Sequence, residues 1–212
     1  MNHSSDVWIW DVPQILQNPE LPNGCEITSC CELLHFWGYP ADKCDLADHY
    51  LPRSEKWFGA DPDQVYMGDP HREDSTERCG FYCFAGPIVT AANHYLRDHQ
   101  GMGSAVTAVD ITKATQPQLE QYLRDGFPFL FWASLHFADI GFDPRGRYQM
   151  ENGNYHRLFQ GLHCMVCKGM DSTYYYLSDP LNFNDRIEKA QFFKIYRQLG
   201  ERAVVLIPMQ SN

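Results

Sequence analysis

Apolar residues recur at helical spacing in the first half of the chain and gather into short dense runs in the second. Over 25–37, Ile27, Leu33, Leu34 and Trp37 predict a helix that Gly38 stops, with Asn23 or Gly24 at its start. Gly86-Pro87 opens a second helix through about residue 98, with Ile88, Ala91, Ala92 and Tyr95 along one stripe. A third helix over 116–125 begins at a proline and ends at Gly126. The apolar run over 127–135 predicts a buried strand, and 162–168, 174–178 and 203–208 read as further strands, with a helix over 188–199 among them. Residues 1–24 read as extended and turn-rich, 40–83 as loops with short helical turns, and 136–160 as a long polar loop. Segregated helices and strands point to an α+β fold, with a helical N-terminal half and an antiparallel-sheet C-terminal half. A cleft between such halves is a natural place for an active site. No linker or repeat divides the chain, so 1–212 is expected to be one domain, its helical lobe ending near 125 and its sheet lobe starting near 126.

Composition narrows the functional classes. Hydrophobic residues make up 44% of the chain and charged residues 21%, enough apolar material for a folded core. The formal net charge of -10 repels phosphate backbones and anionic lipid, so nucleic acid is not expected as a partner. No apolar run reaches the ~18 residues of a transmembrane helix, so no membrane span is expected. The first residues lack the basic start and apolar stretch of a secretory signal. A cytoplasmic protein is therefore expected, or a secreted one if a signal precedes this sequence. Eight cysteines are present, but a chain this long needs no disulfide staples, so most are expected as reduced, buried side chains.

One cysteine has a special position. Cys25 falls where a loop becomes a helix, and the unpaired N–H groups and dipole of a helix start favour a thiolate and could also hold an oxyanion. Cys30 and Cys31 lie deeper in the same helix and read as core; Cys44, Cys79 and Cys83 lie in loops without a base nearby in sequence. Among nine histidines, His163 begins a predicted strand. The turn-like Gly169-Met170-Asp171-Ser172 suggests a hairpin centred on residue 171, which would oppose His163 to Asp179. A carboxylate there could fix the imidazole tautomer, whereas an odd register slip would send the two side chains to opposite faces. Taken alone, a purely structural His–Asp pair explains the pattern equally well. Cysteine, histidine and acid from separated segments are together the set that thiol catalysis needs.

Residues 21–29, Leu-Pro-Asn-Gly-Cys-Glu-Ile-Thr-Ser, resemble the nucleophile segment of bacterial peptidases related to the bacteriocin-leader-processing (double-glycine) enzymes, which are papain-like cysteine peptidases. The resemblance continues through Phe36-Trp37-Gly38-Tyr39, Gly86-Pro87-Ile88-Val89 and Gly126-Phe127-Pro128. It ends with His163, Gly169-Met170-Asp171, Ser178-Asp179-Pro180-Leu181 and Gly200-Glu201-Arg202-Ala203. It implies a papain-like fold, a peptide or protein substrate, no cofactor, and a triad of Cys25, His163 and Asp179. It also implies a glutamine upstream of the nucleophile that completes an oxyanion hole; Gln17 is the best match and Gln14 the next.

Other readings stay open at this level. The same triad could serve a deamidase or acyltransferase, and a papain-like fold without activity could bind peptides. Cys79, Cys83, Cys164 and Cys167 could form a zinc site, although neighbours in a strand alternate faces and suit a knuckle poorly. Residues 40–83 and 136–160 match nothing in the resemblance and are expected to border the cleft and carry specificity.

Overall fold

The computed structural model describes residues 6–209. In chain order the elements are β1 (Val7–Trp8), α1 (Cys25–Phe36), α2 (Lys43–Asp45, running into a π-helical turn, Leu46–Tyr50), α3 (Ala85–Asp98), β2 (Val106–Asp110), α4 (Gln116–Arg124), β3 (Phe129–Ser134), β4 (Gly141–Gln149), β5 (Tyr155–Gln160), β6 (Leu162–Met170), β7 (Tyr174–Ser178), β8 (Arg186–Glu188), α5 (Lys189–Gln198) and β9 (Ala203–Pro208). The main sheet runs in the order β2-β9-β3-β6-β7-β8, and β1 adds to β6. Every pairing in it is antiparallel. The architecture is a mixed helix and antiparallel-sheet fold, as the segregation of patterns predicts. Among the described residues no helix is long and apolar enough to cross a membrane.

β3 is the middle of the core. All six of its residues are buried, which is why its sequence is a continuous apolar run instead of an alternation. Successive side chains still take opposite faces. Phe131 meets Phe192 of α5 at 4.8 Å between ring centroids, while the Trp132 indole N–H donates to the Cys83 carbonyl at 2.9 Å. The sheet is thus covered by α5 on one face and by the chain entering α3 on the other. α1 packs against β6 and β3, and its residues from Cys25 to Leu34 are all buried. A helix covered all round needs no polar stripe, and this one carries two glutamates into the core. α4 begins with the reciprocal Thr115–Gln118 capping box that its sequence allows.

Two expectations need correction. The segment 136–160 is not a plain loop: β4 and β5 form their own antiparallel hairpin, Gly141 opposite Gln160 and Gln149 opposite Tyr155. Of β4 only Tyr148 is buried, so the segment carries no apolar alternation to betray it. The helical half also feeds the sheet. β2, whose Val106 and Ala108 are buried, pairs with β9 along its full length, and β1 pairs with β6. Both strands are short or only half apolar and gain their order from partners distant in sequence.

Candidate active site

The turn before α1 delivers Cys25 to the helix start. Gln17 carbonyl accepts from the Leu21 N–H at 2.9 Å, and Leu21 carbonyl accepts from the Gly24 N–H at 2.9 Å. The turn is so tight that a Cβ on Gly24 would lie 2.6 Å from the Leu21 Cβ, which requires glycine there. Tyr66 hydroxyl donates to the Asn23 carbonyl at 2.6 Å and fixes the turn from outside. Cys25 is then the first residue of α1 and is 6% exposed. Ser29, one turn later, donates to the Cys164 carbonyl at 3.2 Å, and the Cys164 backbone amide faces the Cys25 thiol. The helix start therefore lies against the first residues of β6, next to His163.

His163 is 1% exposed and sits opposite Ala133 of β3. Its Nε2 donates to Asp179 Oδ1 at 2.7 Å. The hairpin that makes this pair differs from the expected one. β6 pairs Val166 with Ser178 and Cys167 with Leu177, two residues out of step with a hairpin centred on 171, and a bulge follows before Gly169. Asp179 lies just past the end of β7 and reaches His163 diagonally. A slip of two keeps the side chain on the same face, so contact survives the wrong register. Asp171, in the turn, bonds its own neighbours: the Thr173 and Tyr174 N–H groups and the Tyr176 hydroxyl, each at 2.6 Å.

Asp179 is itself held. Oδ1 also accepts from the Leu181 N–H at 2.9 Å, and Oδ2 accepts from the Asn184 N–H at 3.1 Å and its side-chain amide at 2.8 Å. Burial alone would raise its pKa, but the His163 hydrogen bond and charge, with these donors, hold the carboxyl below its ordinary value. A carboxylate on Nε2 keeps the proton there, which leaves Nδ1 as the acceptor nitrogen of the imidazole.

The two glutamines have separate places. Gln17 is buried between the segment after β7 and the turn before α1: its backbone N–H donates to the Pro180 carbonyl at 3.0 Å and its side-chain amide to the Pro22 carbonyl at 2.7 Å. Gln14 instead donates to the Asp179 carbonyl and accepts from the Ser178 hydroxyl at 3.1 Å, so it supports the Asp179 loop.

The thiol departs from expectation. A helix start favours thiolate, yet burial, then the charge and hydrogen bond of Glu26, push the Cys25 pKa well up. The Cys25 S–H donates to Glu26 Oε2 at 3.2 Å. Glu26 and Glu32 are both fully buried and were not singled out by the sequence, since glutamate in a helix ordinarily reads as a solvent-facing residue. Asn184 was missed as well; nothing in its local sequence marks it. All eight cysteines are free thiols, and among the described residues no cluster of three or more His, Cys, Asp or Glu could hold a metal ion. Beside the site lies a hollow of about 290 Å³, bordered by Asn23, Cys79, Arg145, Gly161 and Leu162. Residues of both unplaced segments, 40–83 and 136–160, stand on its rim.

Comparison with known proteins places the chain in a family and a fold. The chain is 27% identical over 192 residues to the uncharacterized protein YvpB of Bacillus subtilis, spanning 89% of this chain and 70% of that protein. A Bacillus anthracis protein solved as a C39-like peptidase superposes with a TM-score of 0.81 at 25% identity, covering 97% of this chain and 99% of that one. Xylellain, a cysteine protease from Xylella fastidiosa, shares the fold at a TM-score of 0.51 and 13% identity, over 97% of this chain and 87% of its own. The model of the Peptidase_C39 like family matches residues 9–204, nearly the whole sequence, and the chain belongs to that family.

Proposed function

We propose that this protein is a cysteine peptidase that hydrolyses peptide bonds, with Cys25 as nucleophile, His163 as general base and Asp179 as the residue that orients the base. The observation that carries the reading is the buried 2.7 Å pair of His163 Nε2 and Asp179 Oδ1, set beside a helix that starts at a cysteine. Cys25 gives its thiol proton to His163 Nδ1, and the sulfur attacks the substrate carbonyl. The Cys25 backbone N–H and the Gln17 side chain hold the oxyanion. A glutamine amide has two N–H donors, and only one is spent on the Pro22 carbonyl. His163 then protonates the leaving amine and activates the water that opens the thioester, which returns the thiol. The hollow bordered by Asn23 and Leu162 receives the substrate chain.

An activity-based probe tests this assignment: a short peptide carrying a thiol-reactive electrophile. It should label Cys25, and labelling should vanish in Cys25→Ala and fall sharply in His163→Ala. Labelling of another cysteine in a folded Cys25→Ala protein would show that the nucleophile is misassigned.

A further inference from the structure

Glu26 has no task in the proposed chemistry, yet its carboxylate touches the nucleophile. It is fully buried, and leaving a carboxylate in the core is costly unless it is bonded. Its Oε2 accepts from the Cys25 thiol at 3.2 Å and its Oε1 from the Cys83 N–H at 3.2 Å. Cys83 is in turn held by its carbonyl, which accepts from Trp132 Nε1 at 2.9 Å. The carboxylate is therefore braced against β3 through one oxygen while the other meets the sulfur. The titratable groups that feel its charge are Cys25 on its own helix, Tyr66 from the loop after α2, Tyr82 and Cys83 on the approach to α3, and Cys164 of β6. These are thiols and phenols, with no cation among them, and burial pushes the Glu26 carboxyl up to about 7.

We propose that Glu26 is a positioning residue for the nucleophile: it holds the resting Cys25 thiol protonated, with its hydrogen committed to the carboxylate, until the thiol turns to His163. An ionised carboxylate next to sulfur opposes a second negative charge there, so the resting site carries a masked thiol. When the thiol turns, its proton leaves sulfur for His163 Nδ1 and gives thiolate and imidazolium; no other bond changes. The proposal rests on the reading of Cys25 as nucleophile and adds to it a group that sets when the thiol ionises.

The test is the rate of iodoacetamide alkylation at Cys25, followed by mass spectrometry across neutral pH, in wild type and Glu26→Gln. Glutamine keeps an oxygen for the Cys83 N–H and places an NH2 donor against the sulfur. The variant should label Cys25 at least about tenfold faster at neutral pH, equivalent to one pKa unit. The wild-type profile should be stretched over more pH than one proton explains, because ionisation of Glu26 opposes that of Cys25. The variant's profile should be narrower than that of the wild type, with only the coupling of Cys25 to His163 left. A folded Glu26→Gln protein with the wild-type profile would overturn the proposal. Should that variant fail to fold, Glu26→Asp, which draws the carboxylate back from the sulfur by one methylene, takes its place, and a folded Glu26→Asp protein with the wild-type labelling rate and profile overturns the proposal. The assay uses no substrate, so it stands or falls separately from the peptidase reading, which Cys25→Ala hydrolysis assays address.

Discussion

Glu32 makes stability depend on pH in a direction opposite to ordinary acid denaturation. Its Oε1 accepts from the Ile15 N–H at 2.8 Å and the Ser178 hydroxyl at 3.0 Å, while Oε2 is buried without a hydrogen-bond partner among the described residues. Burial, with a contribution from the charge of Asp179, pushes its carboxyl up to about 8 from an ordinary 4.5. The folded state thus binds the proton more tightly than the unfolded chain. The stability this group contributes is complete below pH 4.5 and is lost as pH rises towards 8. The interval of roughly 3.5 units, at ~1.4 kcal/mol each, sets an upper bound of about 5 kcal/mol. For a chain of this length, ~1 kcal/mol moves Tm by ~2–4 °C, so the wild type should lose on the order of 10 °C from mildly acidic to mildly alkaline buffer. Glu32→Gln preserves the acceptor for Ile15 and Ser178 and removes the titration. Thermal unfolding followed by circular dichroism should show the wild-type Tm falling across this range and the variant's Tm falling less, by only the part that buried Glu26, raised to about 7, still contributes. Asp179 does not blur the result, because its lowered pKa acts only as pH falls through and below 3.8. Parallel Tm curves for the two proteins would refute the reasoning.

Three further outcomes follow from the proposed chemistry. Asp179→Ala should lower kcat far more than it raises KM, though by less than the ~10⁴ of the comparable Asp→Asn change in a serine triad, because a thiol ionises more easily than a hydroxyl; an unchanged kcat would remove Asp179 from the site. Gln17→Ala should slow hydrolysis by ~10²–10³, the usual worth of one oxyanion donor, while alkylation of Cys25 stays at the wild-type rate. Hydrolysis should survive strong chelators and be lost on thiol alkylation, and unfolding by a chelator would reveal thiolates bound to zinc.

The sequence carried most of the architecture where burial was complete and the pattern long. α1, β3 and β7 lie within a residue or two of their expected ends, because Leu33, Leu34 and the run through Phe129–Ser134 leave little choice. β2 and the β4–β5 hairpin were illegible: β2 is five residues long and takes its order from β9, while β4 and β5 order each other and are largely wet. The His163–Asp179 contact illustrates a partial success. The expected strand register was two residues off, yet the same pair meets, because an even slip conserves the face and Leu181 and Asn184 turn the carboxylate back. Glu26 and Glu32 were invisible for a different reason. Their burial depends on α1 running through the core, and no spacing within the helix distinguishes a glutamate aimed at a thiol from one aimed at water. For the same reason an acidic thiol at the helix start was expected where the folded protein surrounds it with a carboxylate and apolar walls.

The most direct measurement is cleavage of a proteome-derived peptide library, read as new amino termini by mass spectrometry, with wild type beside Cys25→Ala and His163→Ala. The account predicts new termini from the wild type, none above background from Cys25→Ala, and a severe loss in His163→Ala, with all three proteins folded. Cleavage that persists in Cys25→Ala, or a wild-type protein that cuts no peptide in the library, would contradict it.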